Sequence, residues 1–179
     1  MRLYTGGVFY LIASTHPGGV LHPIRQGELS FMSPLLDQEI QDQVRNIFAK
    51  QLKEPVQMLF FSQKEDCPYC EDTQSLLQEL SSLSEHIEMG IHDLTDDAEL
   101  ARYYNVDKAP GIVIAAKDGD QIVDYGIRYA GIPAGHEFSS LIQDLILVSG
   151  RDSGLSQKTR DLLTKLTKPV TLQVFVTPT

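Results

Sequence analysis

Between residues 55 and 149 the spacing of apolar residues alternates between two periods. Val56-Gln57-Met58-Leu59-Phe60-Phe61 is a short, nearly unbroken apolar run, the pattern of a buried strand, and Leu76, Leu77, Leu80 and Leu83 follow at helical spacing. Ile87-Glu88-Met89-Gly90-Ile91-His92 alternates strictly and predicts a strand with Ile87, Met89 and Ile91 inward. Asp96-Asp97-Ala98-Glu99 has the form of a capping box and opens a helix through Leu100, Tyr103 and Tyr104, whose tyrosines are expected in the core. Ile112-Val113-Ile114-Ala115-Ala116 predicts a strand that turns at Asp118-Gly119 into a hairpin partner from Ile122 to Tyr129. After the Gly/Pro-rich link 130–135, Phe138, Leu141, Ile142, Leu145 and Ile146 line one face of a last helix that closes near Gly150. Strand, helix, strand, helix, hairpin, helix is an α/β order. Its opening implies parallel strands and its hairpin antiparallel ones, so the predicted sheet is mixed.

The flanks read differently. Residues 1–31 contain Gly6-Gly7 and Pro17-Gly18-Gly19 and keep neither period, which predicts a disordered or non-native tail, with Met32 as a candidate true start. Their longest apolar run, Val8 to Ala13, is far too short to span a bilayer. Met32-Ser33-Pro34 opens a helix, Ser33 as cap and Pro34 in the first turn, with Leu36, Ile40, Val44, Ile47, Phe48 and Leu52 on one face. At the other end, a short helix from Ser156 to Leu166 leads into Lys168-Pro169-Val170-Thr171-Leu172-Gln173-Val174-Phe175-Val176. This echoes Lys53-Glu54-Pro55-Val56-Gln57-Met58-Leu59-Phe60-Phe61, with Pro169 standing 114 residues after Pro55. Repeats at that distance suggest tandem copies of one fold. The plan is a tail (1–31), one unit (32–150), and the linker, helix and first strand of a truncated second unit (151–179). The plainer reading of the last segment is a strand docked on a sheet edge.

Composition narrows the function. A formal net charge of −9 with fifteen dispersed basic residues argues against nucleic acid and against an anionic membrane surface. The two cysteines stand together in Cys67-Pro68-Tyr69-Cys70, where a strand hands over to a helix. Two cysteines in one motif fit a reducing compartment, so the expected location is cytoplasmic. Unpaired N–H groups and the positive dipole end of a helix favour a thiolate, which makes Cys67 the expected nucleophile and Cys70, one turn on, the resolving thiol. Pro68 suits the first helical position. Glu65, Asp66, Glu71 and Asp72 oppose the thiolate, so only a modest depression of the Cys67 thiol is expected.

These residues resemble the protein disulfide oxidoreductase family, glutaredoxin-like proteins of two tandem thioredoxin-fold units, over roughly residues 32–179. The resemblance rests on the opening helix, on Cys67-Pro68-Tyr69-Cys70, on Asp107-Lys108-Ala109-Pro110-Gly111, and on Tyr129-Ala130-Gly131-Ile132-Pro133-Ala134-Gly135-His136-Glu137-Phe138. It implies a thioredoxin-like βαβαββα fold with an extra N-terminal helix and a cis Pro110 facing the disulfide. It nominates Pro110 as a substrate-docking residue, and Pro68, Tyr69 and Ala109 beside it are candidates for the same role. It also implies protein disulfide substrates, no cofactor beyond the Cys67–Cys70 disulfide, and a thioredoxin-reductase-like flavoprotein as electron donor. Typical thioredoxins carry an acid six residues before the first cysteine, where this chain has Phe61.

The leading function is therefore thiol–disulfide exchange. The alternative is a redox-inactive thioredoxin-fold module that docks a partner around Tyr69 and Pro110. A zinc site of Cys67, Cys70, His86 and His92 has plausible spacing. Its histidines would stand about 20 Å apart along a strand, against the roughly 2 Å reach of a zinc ligand. Lys108 could support a thiolate but reads more simply as solvated, and His136 and Glu137 read as polar residues opening a helix.

Overall fold

The computed structural model describes residues 34–174. The predicted tail, the Ser33 cap, and the end of the second echo at Phe175 and Val176 lie outside the described residues. Helix α1 spans Gln38–Gln51, strand β1 Val56–Ser62, helix α2 Cys70–Ser81 and strand β2 Ile87–Asp93. Helix α3 follows at Ala98–Tyr103, then strands β3 Gly111–Asp118 and β4 Gln121–Ala130, helix α4 His136–Ser149 and the short α5 Gln157–Leu163. The sheet runs β2-β1-β3-β4, with β1 parallel to β2 and antiparallel to β3, and β3 antiparallel to β4. The mixed α/β sheet is as the apolar pattern predicts. No helix among the described residues is long and apolar enough to cross a membrane.

Strand β1 is central because both its faces are apolar. Val56, Met58 and Phe60 join a core built with α1, α2 and α4, through Phe48, Leu77, Leu80, Leu141 and Leu145. Leu59 and Phe61 point the other way, into a smaller core with Ala101 and Tyr104 at α3 and Val113 of β3. Each such side chain contributes roughly 1.5–3 kcal/mol when fully buried. Polar groups close the unit at its rear: the buried Ser149 hydroxyl accepts from the N–H groups of Lys53 and Glu54 and donates to Glu54 O. Beside it, Arg151 donates to Asp118 and to the carbonyls of Pro55, Lys117 and Val148.

Several sequence expectations are corrected. Helix α1 begins after Asp37, whose carboxylate accepts from Ile40 N, because Glu79 of α2 takes the N–H groups of Leu35 and Leu36 and holds that stretch outside the helix. Ile40 is exposed rather than in the core. Ile91 is 47% exposed, since β2 is an edge strand and the core reaches Ile87 and Met89 but not its far end. No capping box opens α3: Asp97 makes no cap bond, and its carboxylate accepts from Asp93 N instead. Tyr104 is buried as expected, whereas Tyr103 stays 70% exposed. Gly150 ends α4 in right-handed geometry, and the left-handed residue is Arg151, at φ 53°, held by the guanidinium bonds just described. Residues 168–174 pair with no strand, so edge docking is not what the described residues do.

Candidate functional site: a disulfide at the head of a helix

The register Phe61↔Gly111 sets the residues that leave β1 beside those that enter β3, at one end of the sheet. The first group is the loop 63–69 and the second is Asp107 to Pro110. Lys64 binds Asp96 at 2.5 Å and ties the first loop to the β2–α3 connection. Asp66 adopts left-handed backbone, φ 54°, which a short polar side chain tolerates better than most. The chain then turns: Cys70 N donates to Cys67 O at 3.2 Å, and regular helix starts at Cys70. Pro68 thus lies in this turn ahead of α2, one correction to its predicted helical place. Tyr69 O accepts both the N–H and the hydroxyl of the buried Thr73, at 3.0 and 2.6 Å, which fixes the turn to the helix.

Cys67 and Cys70 are joined in a disulfide, with Cα atoms 5.4 Å apart. Their surroundings differ. Cys70 is 8% exposed and part of the main core, while Cys67 is half-buried and packs on that core from outside. Pro68 and Tyr69 are exposed beside them, Tyr69 at 42%. Ala109 packs on the same core as Cys67, and the Ala109–Pro110 peptide is cis. Pro110 is itself buried, and its carbonyl accepts from Gly131 N at 2.9 Å. Gly111 is obligatory: a Cβ there would lie 2.5 Å from Val106 Cγ1 and 2.7 Å from Lys108 O. Of the nominated residues the structure thus gathers Cys67, Pro68, Tyr69, Cys70, Ala109 and Pro110 at one end of the sheet.

Other candidates fall elsewhere. His92 stacks on Phe61, which belongs to the smaller core on the opposite sheet face from Cys70, and His86 lies in the exposed turn before β2. Lys108 pairs with Asp107 at 3.6 Å. Glu137 opens α4, and burial pushes its carboxyl up. Sequence reasoning missed Thr73, Gly111 and the Tyr129–Asp144 pair. The Tyr129 hydroxyl donates to Asp144 at 2.6 Å; burial first, then this bond, pushes the phenol far up, while burial raises Asp144 against the help of the same bond. The spacing of Tyr69 and Thr73, one helical turn apart, was the available signal for Thr73.

A mixed four-stranded sheet that presents a Cys-x-x-Cys disulfide at the head of α2, with a cis proline leading into β3, defines the thioredoxin-like class of fold. Particular proteins of this class are similar in sequence and structure. The chain is 28% identical to a domain of the alkylhydroperoxide reductase AhpF from Enterococcus faecalis, with a TM-score of 0.63 over 74% of this chain and 62% of that one. Against a protein disulfide oxidoreductase from Aeropyrum pernix the identity is 25% and the TM-score 0.61, over 74% and 56%. Among curated proteins, it is 33% identical over 109 residues to an alkyl hydroperoxide reductase component of Staphylococcus epidermidis, covering 61% of this chain and 19% of that protein. No family model matches the chain. The chain spans only 11% of an NADH dehydrogenase of Bacillus subtilis, to which it is 39% identical over 56 residues, and less than a fifth of the curated relatives named here.

Proposed function

We propose that the protein is a thiol–disulfide oxidoreductase that exchanges electrons with protein disulfides through Cys67 and Cys70. The observation that carries this reading is the unequal exposure of a bonded pair: a partner sulfur can approach Cys67, whereas Cys70 is sealed in the core. In the oxidised protein, a partner thiolate attacks Cys67 Sγ, the Cys67–Cys70 bond breaks, and Cys70 leaves as a thiolate near the N-terminus of α2, where the helix dipole favours it. The partner's second thiolate then attacks its own sulfur bound to Cys67, leaving two thiols here and a disulfide on the partner. The reverse sequence reduces a partner. Tyr69 and Ala109 would seat the partner chain, with Pro68 and Pro110 shaping the loops on either side.

A redox-inactive docking module is the less favoured reading, because docking alone gives no reason for a bonded, unequally exposed pair. The names of the curated relatives, an NADH dehydrogenase and a hydroperoxide reductase component, support a thioredoxin-reductase-like flavoprotein as electron donor. Cysteine use confined to this centre supports a reducing compartment, the cytoplasm. The order α5 then Lys168-Pro169-Val170 repeats α1 then Lys53-Glu54-Pro55-Val56, which supports residues 151–179 as the opening of a second unit.

Mixed-disulfide capture tests the exchange. Cys70→Ser protein should retain a disulfide-bearing protein substrate covalently on Cys67, releasable by dithiothreitol, and Cys67→Ser should retain none. Equal capture by both variants, or by neither, would sink the assignment.

A further inference from the structure

Acidic side chains across the unit are mostly engaged by the fold. Glu79 binds Leu35 and Leu36 N–H, Asp118 binds Arg151, Asp124 binds Arg128 and Asp144 accepts from Tyr129. The acids around the disulfide are not. Glu65 and Asp66 immediately precede Cys67, and Glu71 and Asp72 immediately follow Cys70; all four are exposed. Among the described residues none of the four side chains makes an ion pair or a hydrogen bond. The one cation in the same loop, Lys64, is held by Asp96. Eight residues of chain thus carry the half-buried Cys67, the exposed Tyr69 ring and four exposed carboxylates.

Local structure explains part of this arrangement. Glu71 and Asp72 stand in the first turn of α2, where the dipole favours a negative charge. Asp66 supplies a side chain suited to left-handed backbone, a task Asn performs equally well. Glu65 serves neither purpose. All four charges act against the exchange chemistry of the isolated protein, because they disfavour a thiolate at Cys67. A cation brought in by the partner would relieve that opposition at the moment of reaction.

We propose that Glu65, Asp66, Glu71 and Asp72 are specificity-determining residues that select partner proteins whose disulfide or dithiol is flanked by Lys or Arg. This rests on the exchange reading above. In the reducing direction, the Cys67 thiolate attacks one sulfur of the partner disulfide, that bond breaks, and one partner thiolate is released. Cys70 as thiolate then attacks Cys67 Sγ, closing the intramolecular disulfide and releasing the second partner thiolate. Two electrons pass from the dithiol to the partner, which takes up two protons. The partner's cations draw it to the rim, where facing surfaces of opposite sign raise encounter rates by about 10- to 1,000-fold, and they stabilise the attacking thiolate.

The test uses the reduced protein, residues 1–179, and three disulfides: a cyclic peptide with Arg on both sides of its disulfide, the same peptide with Glu in those places, and the small neutral bis(2-hydroxyethyl) disulfide. At low ionic strength the Arg peptide should be reduced at least about tenfold faster than the Glu peptide. In 1 M salt, where the screening length falls to about 3 Å, the ratio should shrink to within about threefold. The combined variant Glu65→Gln, Asp66→Asn, Glu71→Gln, Asp72→Asn should bring the low-salt ratio to within about twofold. Equal rates for the two peptides with wild-type protein overturn the proposal, as does a ratio that survives in the variant or in 1 M salt. Reaction with the neutral disulfide but no peptide preference removes the charge rim alone. No reaction with any of the three removes the exchange reading and this inference together.

Discussion

Lys53 to Phe61 and Lys168 to Val174 share a lysine, a proline and apolar residues at alternate positions, yet Val56, Met58 and Phe60 are fully buried while Val170, Leu172 and Val174 are 63%, 73% and 74% exposed. The difference lies in neighbours. β1 pairs with β2 on one side and β3 on the other, and helices cover both its faces. The second segment follows α5, whose Leu162 and Leu163 are themselves exposed, and among the described residues no strand pairs with it. An apolar alternation states what a segment is able to bury. Partners decide whether it does, and only the partnered copy can hold a reactive loop such as 63–69 in place.

Breaking the partnered copy should have the largest effect. Phe60→Ala removes a fully buried ring and should cost about 3–5 kcal/mol, a large share of the roughly 5–15 kcal/mol that holds a domain of this kind; urea unfolding curves report it directly. Gly111→Ala drives a methyl group into Val106 and the Lys108 carbonyl and should cost about 1–3 kcal/mol, while shifting the loop that carries Ala109 and Pro110. Its exchange rate with a protein disulfide should therefore fall further than that of an equally destabilised variant of the rear face. Ser149→Ala is such a variant: it strips three bonds from the Lys53–Glu54 entry to β1, and about 1–3 kcal/mol should go with them, seen as a lowered thermal midpoint at an unchanged exchange rate.

Smaller effects concern charge. Burial works to raise Asp124, but bonds from Arg128 and Gly126 N–H outweigh it and hold the carboxyl below its ordinary value. Folding therefore gains from this group above the unfolded carboxyl range near pH 4, and the gain is lost as pH falls through the lower folded value. Asp124→Asn should flatten that acid limb of stability against pH. Asp144 is raised, chiefly by burial, so its contribution is complete below the unfolded value and lost as pH rises through the folded one. Asp144→Asn should gain stability at pH 7 relative to pH 3, measured by the same unfolding curves. The smallest change is predicted for the unpartnered copy: Leu172→Ala should alter stability by no more than about 0.5 kcal/mol. An effect there comparable to Phe60→Ala would erase the distinction between the two segments.

The sheet, its mixed topology and the position of the disulfide were legible because each rests on local pattern: an apolar run before Cys67, alternation from Ile87, and a turn signal at Asp118-Gly119, the turn itself falling one residue on at Gly119-Asp120. Three of the failures involve residues whose fate depends on distant ones. Ile91 has the same alternation as Met89, and only the order of strands tells that it lies at an uncovered edge. Pro34 is predicted in the first turn of α1, yet Glu79, more than forty residues away, holds Leu35 and Leu36 outside the helix and Asp37 caps it. A glycine at 150 looks like the left-handed terminus, yet Arg151 takes that conformation because its side chain bridges to Asp118 and Pro55. At the site, the residue types came from the motif, whereas the inequality of Cys67 and Cys70, on which the mechanism turns, follows from three-dimensional packing.

Whether Cys67 and Cys70 form one reversible two-electron couple is read out by a redox titration. The protein is equilibrated in thiol buffers of stepped potential, quenched with an alkylating reagent and weighed. Both thiols should become alkylated together in a single two-electron transition between roughly −120 and −300 mV. A bond that stays closed at potentials well below about −300 mV, or two cysteines that alkylate independently, would mark a structural or unpaired site and rule out the exchange mechanism.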